Sequence, residues 1–445
     1  MQSIVSLSAL LVASMILVLG NGVASLLIPT RAALEGWSTD VIALIGASYA
    51  LAFTIGCIVI PRIVARVGHI RTFGFLGTLT TISMLLHAME PQPWVWVLVR
   101  TMAGFSIAGS YMVLEAWLNE EATNENRGFV FSIYMVLSLA GMAIGPFLVT
   151  LGNPRDFELF AWAAIIYAVA TLPIALTGRS SPQPLARVSL NLRALYRNSP
   201  AAAVGSLVTG IVAGSFGSLV PVYGAGIGFD VATVATLIAA ATFGSMLFQL
   251  PIGRLSDRID RRWVMVVVGG AGAILAVAVA VTPTVIPASL PELRISTAAS
   301  DPIVVSILML LFGGSLYTTY SLNVAHANDW ARDVSFVTVA SGLLILYGIG
   351  STLGPLVAAR VMAFMGPEGL FVFIAVAQTA YAAFALYRIT QRGDVAIDDQ
   401  TDFQPLPIAP GSTPQTFELD QRADEEGGDD WHEPDPVEYG VSGEA

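Results

Sequence analysis

The sequence predicts an all-α polytopic membrane protein with twelve transmembrane helices in two pseudo-symmetric six-helix halves, and three observations carry that prediction. Only 12% of the 445 residues are charged and 55% are hydrophobic, against about a quarter charged in an ordinary soluble domain. Twelve apolar stretches each approach the length of helix, about 20 residues, that a bilayer core of about 30 Å requires. A residue pattern also recurs: Gly104, Tyr111, Gly141, Gly145 and Pro146 lie 209 positions before Gly313, Tyr320, Gly350, Gly354 and Pro355, as duplicated units do.

In chain order the stretches run Val5 to Ile28, Val41 to Ile60, Thr72 to Ala88, Trp94 to Leu118, Gly128 to Leu151 and Leu159 to Thr177. The second set runs Ala201 to Tyr223, Val231 to Leu250, Trp263 to Val285, Ile303 to Val324, Phe336 to Met362 and Leu370 to Tyr387. The first stretch lacks a basic start and eleven spans follow it, so it reads as a retained helix and not a cleaved signal. With the amino terminus in the cytoplasm, cytoplasmic loops and tail hold sixteen arginines and outer loops four, Arg31, Arg155, Arg294 and Arg360. That asymmetry satisfies the positive-inside rule in one orientation and places both termini in the cytoplasm.

The halves cover residues 1–177 and 201–388, joined by a cytoplasmic linker, 178–200, with four arginines, no acid, and Pro182 and Pro184 near its start. Arg66 lies 192 positions before Arg258, so the repeat needs one insertion, which the outer loop from Pro283 to Asp301 supplies. Residues 389–445 carry 15 acids and two arginines, a charge of −13 within a whole-chain −11. With Pro405, Pro407, Pro410 and Pro414 ahead of the acidic runs, this tail reads as a disordered cytoplasmic extension, dispensable for folding and transport. The acidic balance therefore describes the tail and implies no nucleic-acid partner.

Several classes are excluded by residue type. All 21 basic residues are arginine, which removes lysine Schiff-base chemistry, and the lone Cys57 excludes an intrachain disulfide. The four histidines, His69, His87, His326 and His432, sit in separate segments, and no HExxH or P-loop pattern occurs. No enzyme, cofactor or metal site is expected.

The residues left with chemistry lie in and beside the spans. Arg100 is followed by Gly104, Ala108 and Gly109, a small-residue stripe for close helix packing. An arginine inside a span costs about 2.5 to 3.5 kcal/mol on insertion scales and usually faces a cavity; the plainer reading is a side chain snorkelling outward. Asn21 lies at a similar depth and is the expected partner. Tyr111, Tyr317, Tyr320 and Asn323 put polar tips on apolar bodies and suit a solute path, although such tyrosines also serve as core. Glu115 is the one carboxylate placed inside a span, expected to pair with Arg62 or Arg66, or else to carry a proton. Asp257 and Arg258, in the turn from Gly253 to Arg262, form an expected latch in which the Asp caps a neighbouring helix. Gly141, Gly145 and Pro146, with Gly350, Gly354 and Pro355, give each half a close-packing site beside a proline bend.

Together these residues resemble the major facilitator superfamily over the chain up to about Tyr387. The Gly253 to Arg262 turn is similar to that family's G-x-L-x-D-R-x-G-R-R signature, Arg100 to Gly104 to its R-x-x-x-G element, and Gly141 to Pro146 to its helix-five G-P element. Pro61 and Arg62, Arg66 to Arg71, and Glu115 to Glu120 with Arg127 and Gly128 look like a bacterial branch of largely unassigned permeases. Pro61 and Ala65 replace the family's Gly and Asp in the first-half turn, and Asp260 replaces the second Gly in the other. The resemblance implies a monomeric secondary active transporter in the bacterial plasma membrane, surrounded by lipid, moving a small solute by alternating access. Helices one, four, seven and ten would line the path, with a lean towards proton-linked export. The alternative of another class is a carrier-shaped sensor or scaffold signalling through its acidic tail.

Overall fold

Long apolar runs span a bilayer as helices, because in hydrocarbon each backbone N–H and C=O must be paired within its own segment. The structure, a computed structural model, describes residues 2–123, 126–175, 191–282, 302–331, 334–393, 395–397, 400–406 and 411–420. The first half contains α1 (Gln2–Leu34), α2 (Thr39–Val67), α3 (His69–Met89), α4 (Pro93–Glu121), α5 (Arg127–Leu148) and α6 (Phe157–Ala175). After a short α7 (Leu192–Asn198), the second half contains α8 (Pro200–Gly226), α9 (Val231–Ser256), α10 (Arg261–Val281), α11 (Pro302–Leu316), α12 (Thr318–Trp330), α13 (Phe336–Met365) and α14 (Gly369–Gln391). A last helix, α15 (Pro414–Glu418), lies in the tail. Among the described residues eleven helical segments are long and apolar enough to cross a membrane, α11 and α12 counting as one, and α6 adds a shorter twelfth.

Local chemistry sets the turns. Ser38, Asp230 and Ser335 each accept a backbone N–H in the first turn of α2, α9 and α13, satisfying donors that a helix start leaves free. Gly68 closes α2 at φ 89°, with its N–H on Val64 O, a conformation that a β-carbon penalises. The turns α2–α3, α4–α5 and α9–α10 share one face with the chain's amino end and the end of α14, here the terminal face. The turns α1–α2, α3–α4, α5–α6 and α8–α9 lie on the distal face.

The duplication seen in the sequence reappears as packing. A β-carbon on Gly141 would press on Met15 O and Leu19 N of α1, and one on Gly350 on Leu207 O and Ile211 N of α8. A β-carbon on Gly104 would overlap Tyr49 O of α2, and one on Gly313 Ala241 O of α9. Met15, Leu19 and Tyr49 lie 192 positions before Leu207, Ile211 and Ala241, and the glycines 209 before theirs, so both intervals survive as matched contacts. Backbones that meet at glycine gain packing contacts that lipid cannot replace.

The structure corrects three expectations. α2 runs through Pro61 to Val67, so the second span does not stop at Ile60. The tenth span breaks at Tyr317, whose N–H lies 3.4 Å from Gly313 O, and continues to Trp330; Asp329 is thus a second carboxylate inside a span. The described part of the chain beyond Arg388 is folded: α14 extends to Gln391, and Leu406, Ser412, Thr413, Gln415, Thr416, Phe417, Leu419 and Asp420 are buried against the bundle. Composition averaged over 389–445 misses this, because Phe403 to Phe417 contains no charged residue and the acids crowd after it. The proposed insertion at Pro283 to Asp301, most of the linker and the acidic runs from Asp424 onward lie outside the described residues.

Candidate functional site

A cavity opens where α1, α2 and α4 of the first half meet α8, the α11–α12 break and α13 of the second, leaving about 840 Å³ unfilled by protein atoms. Its polar lining is Asn21, Ser25, Tyr49, Arg100, Ser218, Tyr317, Tyr347 and Ser351, set among apolar residues such as Ile28, Ile45 and Met142. A smaller neighbour between α2 and α13 shares Tyr49, Ala50, Tyr347 and Ser351 and reaches Cys57. Of the six residues expected on a solute path, Asn21, Arg100 and Tyr317 line the cavity.

The other three are placed elsewhere. Asn323 braces the second half, accepting a hydrogen bond from Tyr381 Oη at 3.1 Å and donating to Thr209 Oγ1 at 3.4 Å. Tyr320 donates to Ala340 O at 3.1 Å. Tyr111 is buried edge-on to Phe53, and its hydroxyl has no hydrogen-bond partner among the described residues.

Arg100 is held differently from the expected bond to Asn21. Its guanidinium lies over the Tyr49 ring, 4.1 Å from the centroid, and Tyr49 Oη donates to Asn21 Oδ1 at 3.1 Å. Tyr49 thus stands between the two, holding the cation through its π face, an attraction worth about 0.5 to 2 kcal/mol, and the amide through its hydroxyl. Among the described residues Arg100 Nε is buried with no hydrogen-bond acceptor and the guanidinium makes no ion pair, while it lines the cavity. Tyr49 was missed because an aromatic residue in an apolar run looks like core.

On the terminal face the residues expected to gate divide. Glu115 is buried and bonded by Tyr134 Oη at 2.5 Å, by Thr416 Oγ1 at 2.7 Å and by Thr413 Oγ1. Arg62 and Arg66 are exposed and make no ion pair with it among the described residues, so the expected salt bridge is replaced by hydroxyls, two of them from the tail. Asp257 pairs with Arg261, the first residue of α10, at 3.1 Å and accepts the backbone N–H of Phe403 at 2.9 Å; the backbone N–H it accepts comes from the tail and not from a neighbouring helix end. Arg258 is exposed. Asp260 caps α10 and chelates Arg262; partial burial works against its ionised form, but the hydrogen bonds and charge of Arg262 hold its carboxyl below the usual range. Asp329 pairs with Arg261 at 3.1 Å deep in the fold. It lies 209 positions after Glu120, a signal the repeat already contained.

The two halves meet directly from the distal face down to mid-depth. A β-carbon on Gly46 of α2 would overlap Ser218 of α8, and one on Gly348 of α13 would overlap Thr54 of α2. Arg360 and Asp40 join α13 to α2 at 3.2 Å, largely exposed, and so weakly. Gly145 and Gly354 extend the packing of Gly141 and Gly350 within each half, since a β-carbon on them would overlap Leu19 O of α1 and Ile211 O of α8.

Comparison with known proteins supplies the context. The family model described as Major Facilitator Superfamily matches residues 10–283 and 202–418. A relative from Salmonella typhi, described as the uncharacterized MFS-type transporter YcaD, is 25% identical over 389 residues, covering 86% of this chain and 95% of its own. Its counterpart from Escherichia coli O139:H28 is 26% identical over 379 residues, covering 84% and 93%. Among solved structures, the nucleoside transporter NupG is similar with a TM-score of 0.66 at 15% identity, over 87% of this chain and 100% of that one. A bacterial homolog of the human lysosomal transporter Spinster, inward-facing and unoccupied, has a TM-score of 0.62 at 15% identity, over 90% and 98%. At such identities the structural likeness concerns the fold alone.

Proposed function

Because the chain belongs to the major facilitator superfamily, a secondary transporter of small solutes embedded in the membrane, we propose that the cavity at Arg100 is its solute site and that the solute carries an anionic or strongly polar group. The observation that carries this reading is the Arg100 guanidinium, stacked on Tyr49 and facing the space between the halves with no acid paired to it among the described residues. A desolvated cation without a counter-ion favours an anion, and the planar fork suits a carboxylate or phosphate. Asn21, Ser25, Ser218 and Ser351 add neutral hydrogen-bonding groups around it.

The arginine asymmetry supports a cytoplasmic terminal face in a bacterial inner membrane, with the cavity nearer the outer side. Proton linkage rests on the G-x-x-x-G-P elements and on the buried Glu115, and the protein works as a monomer in this reading. The test is flux of a solute that stabilises the purified protein, measured in proteoliposomes. Arg100→Lys should cut flux by roughly tenfold or more while sparing expression, since a point charge lacks the bidentate fork. Wild-type flux from Arg100→Ala would remove this residue from the mechanism.

A further inference from the structure

Two described stretches of the tail, 400–406 and 411–420, enter the bundle from the terminal face and together bind both halves. On the second half, Asp329 Oδ1 accepts from Thr401 N and Thr401 Oγ1, each at 3.0 Å. Arg261 donates to Thr401 O, and Asp257 takes the N–H of Phe403. Gly253 leaves room for the Phe403 ring, which a β-carbon there would overlap. Deeper in, buried Gln249 donates to Leu406 O at 2.9 Å. On the first half, Thr413 and Thr416 bond Glu115, and Leu419 joins the apolar cluster around Trp117 and Tyr134. Phe417, fully buried, sits edge-on to Phe336 of α13 at 6.1 Å.

The segment reaches well below the surface. Gln249 is seven residues from the end of α9, and Tyr111, whose ring a β-carbon on Gly411 would meet at 4.0 Å, is ten from the end of α4. At 1.5 Å per residue these are depths of roughly 10 and 15 Å. A peptide lodged there keeps α4 apart from α12 and α13 on the terminal face, while α2 rests on α8 and α13 towards the distal face. An alternating-access cycle must bring the terminal ends together to open the distal side. Cores and interfaces do not compress to make room for an occupant.

We propose that the tail stretches 400–406 and 411–420 are an autoinhibitory plug: docked between the halves, they hold the carrier closed on the distal face, and transport requires their release. The receptor groups are built for this occupant. Glu115, Gln249 and Asp329 are buried polar side chains whose partners here include tail atoms, and the plug itself is uncharged from Phe403 to Phe417. The sequence that follows is dense in acids, a handle by which a basic partner or a change in charge can draw the segment out.

The proposal rests on the alternating-access reading, and the experiment separates the two. Spin labels at Leu34→Cys on α1 and Ala363→Cys on α13, both exposed near the distal face, report distal opening in full-length protein in nanodiscs. A Cys57→Ser background removes the native thiol. Weakening the plug with Thr413→Ala, Thr416→Ala and Phe417→Ala should raise the ratio of long-distance to short-distance population by roughly tenfold or more. Phe417→Asp alone, which alters only the plug, should move it in the same direction. Gly348→Phe, which drives α13 off α2, serves as the positive control in the plug-weakened background and should open the distal face more there than in the intact chain. Unchanged distances in both plug variants, with opening by Gly348→Phe equal with and without an intact plug, would overturn the plug and leave alternating access standing. No opening in any variant would overturn both.

Discussion

At the scale of single residues, Tyr49 decides how Arg100 is presented. Its ring carries the guanidinium and its hydroxyl fixes Asn21, so its two functions separate by substitution. Tyr49→Phe keeps the ring and removes a hydrogen bond worth about 0.5 to 1.5 kcal/mol, and should weaken ligand affinity by a few-fold. Tyr49→Leu also removes the π face and should weaken it further; the concentration dependence of ligand-induced thermal stabilisation measures both. Arg100 was legible because a charge stands out in an apolar run, and Tyr49 was not, because spacing alone cannot tell a cation's seat from core. Glu418 supplies a pH prediction. Burial in the docked tail pushes its carboxyl up from 4.5 to about 7, with Arg127 pulling the other way. The docked state therefore favours the protonated form: docking is strongest below about 4.5, weakens as pH rises towards 7 and changes little above it. Hydrogen-exchange protection of Thr416 to Leu419, corrected for intrinsic rates, should be higher at pH 5 than at pH 8, and Glu418→Gln should flatten the difference.

At the scale of helices, the recurring glycines were readable from one sequence because a repeat compares the chain with itself. What the repeat could not distinguish was bending from packing, and the structure shows the packing: Gly350 meets the α8 backbone. Gly350→Ala should therefore destabilise by about 1 to 3 kcal/mol through overpacking. Gly74→Ala, with nothing within 4 Å of its β-carbon, should be neutral or slightly stabilising, since alanine is the better helix former. Thermal unfolding of the two variants in detergent checks this, and equal effects would show that the α8–α13 contact is looser than described. The tail is the element least legible in advance. Its fifteen dense acids dominate any composition average, whereas the part that folds does so on polar groups of the body, Glu115, Gln249 and Asp329, that no local pattern links to it.

At the scale of the whole molecule, two similar bundles meet around Arg100, which has no carboxylate partner among the described residues, with direct contact from the distal face to mid-depth and the tail between them on the terminal one. Twelve spans, the duplication and the family follow from period, length and motif, which are properties of the chain. The cavity does not, because Asn21, Tyr49, Arg100, Tyr317 and Ser351 come from five separate stretches and converge only when the halves are docked. The central claim is that this cavity binds an anionic or strongly polar solute through Arg100. It is tested most directly by thermal stability of the purified full-length protein across matched panels of carboxylates, phosphate esters, neutral sugars and organic cations, wild type beside Arg100→Ala. A ligand specific to the folded state raises the melting temperature by mass action. The account predicts stabilisation by members of the anionic or strongly polar panels in the wild type and its loss in Arg100→Ala. Equal stabilisation of both proteins, or stabilisation by cations alone, would contradict it.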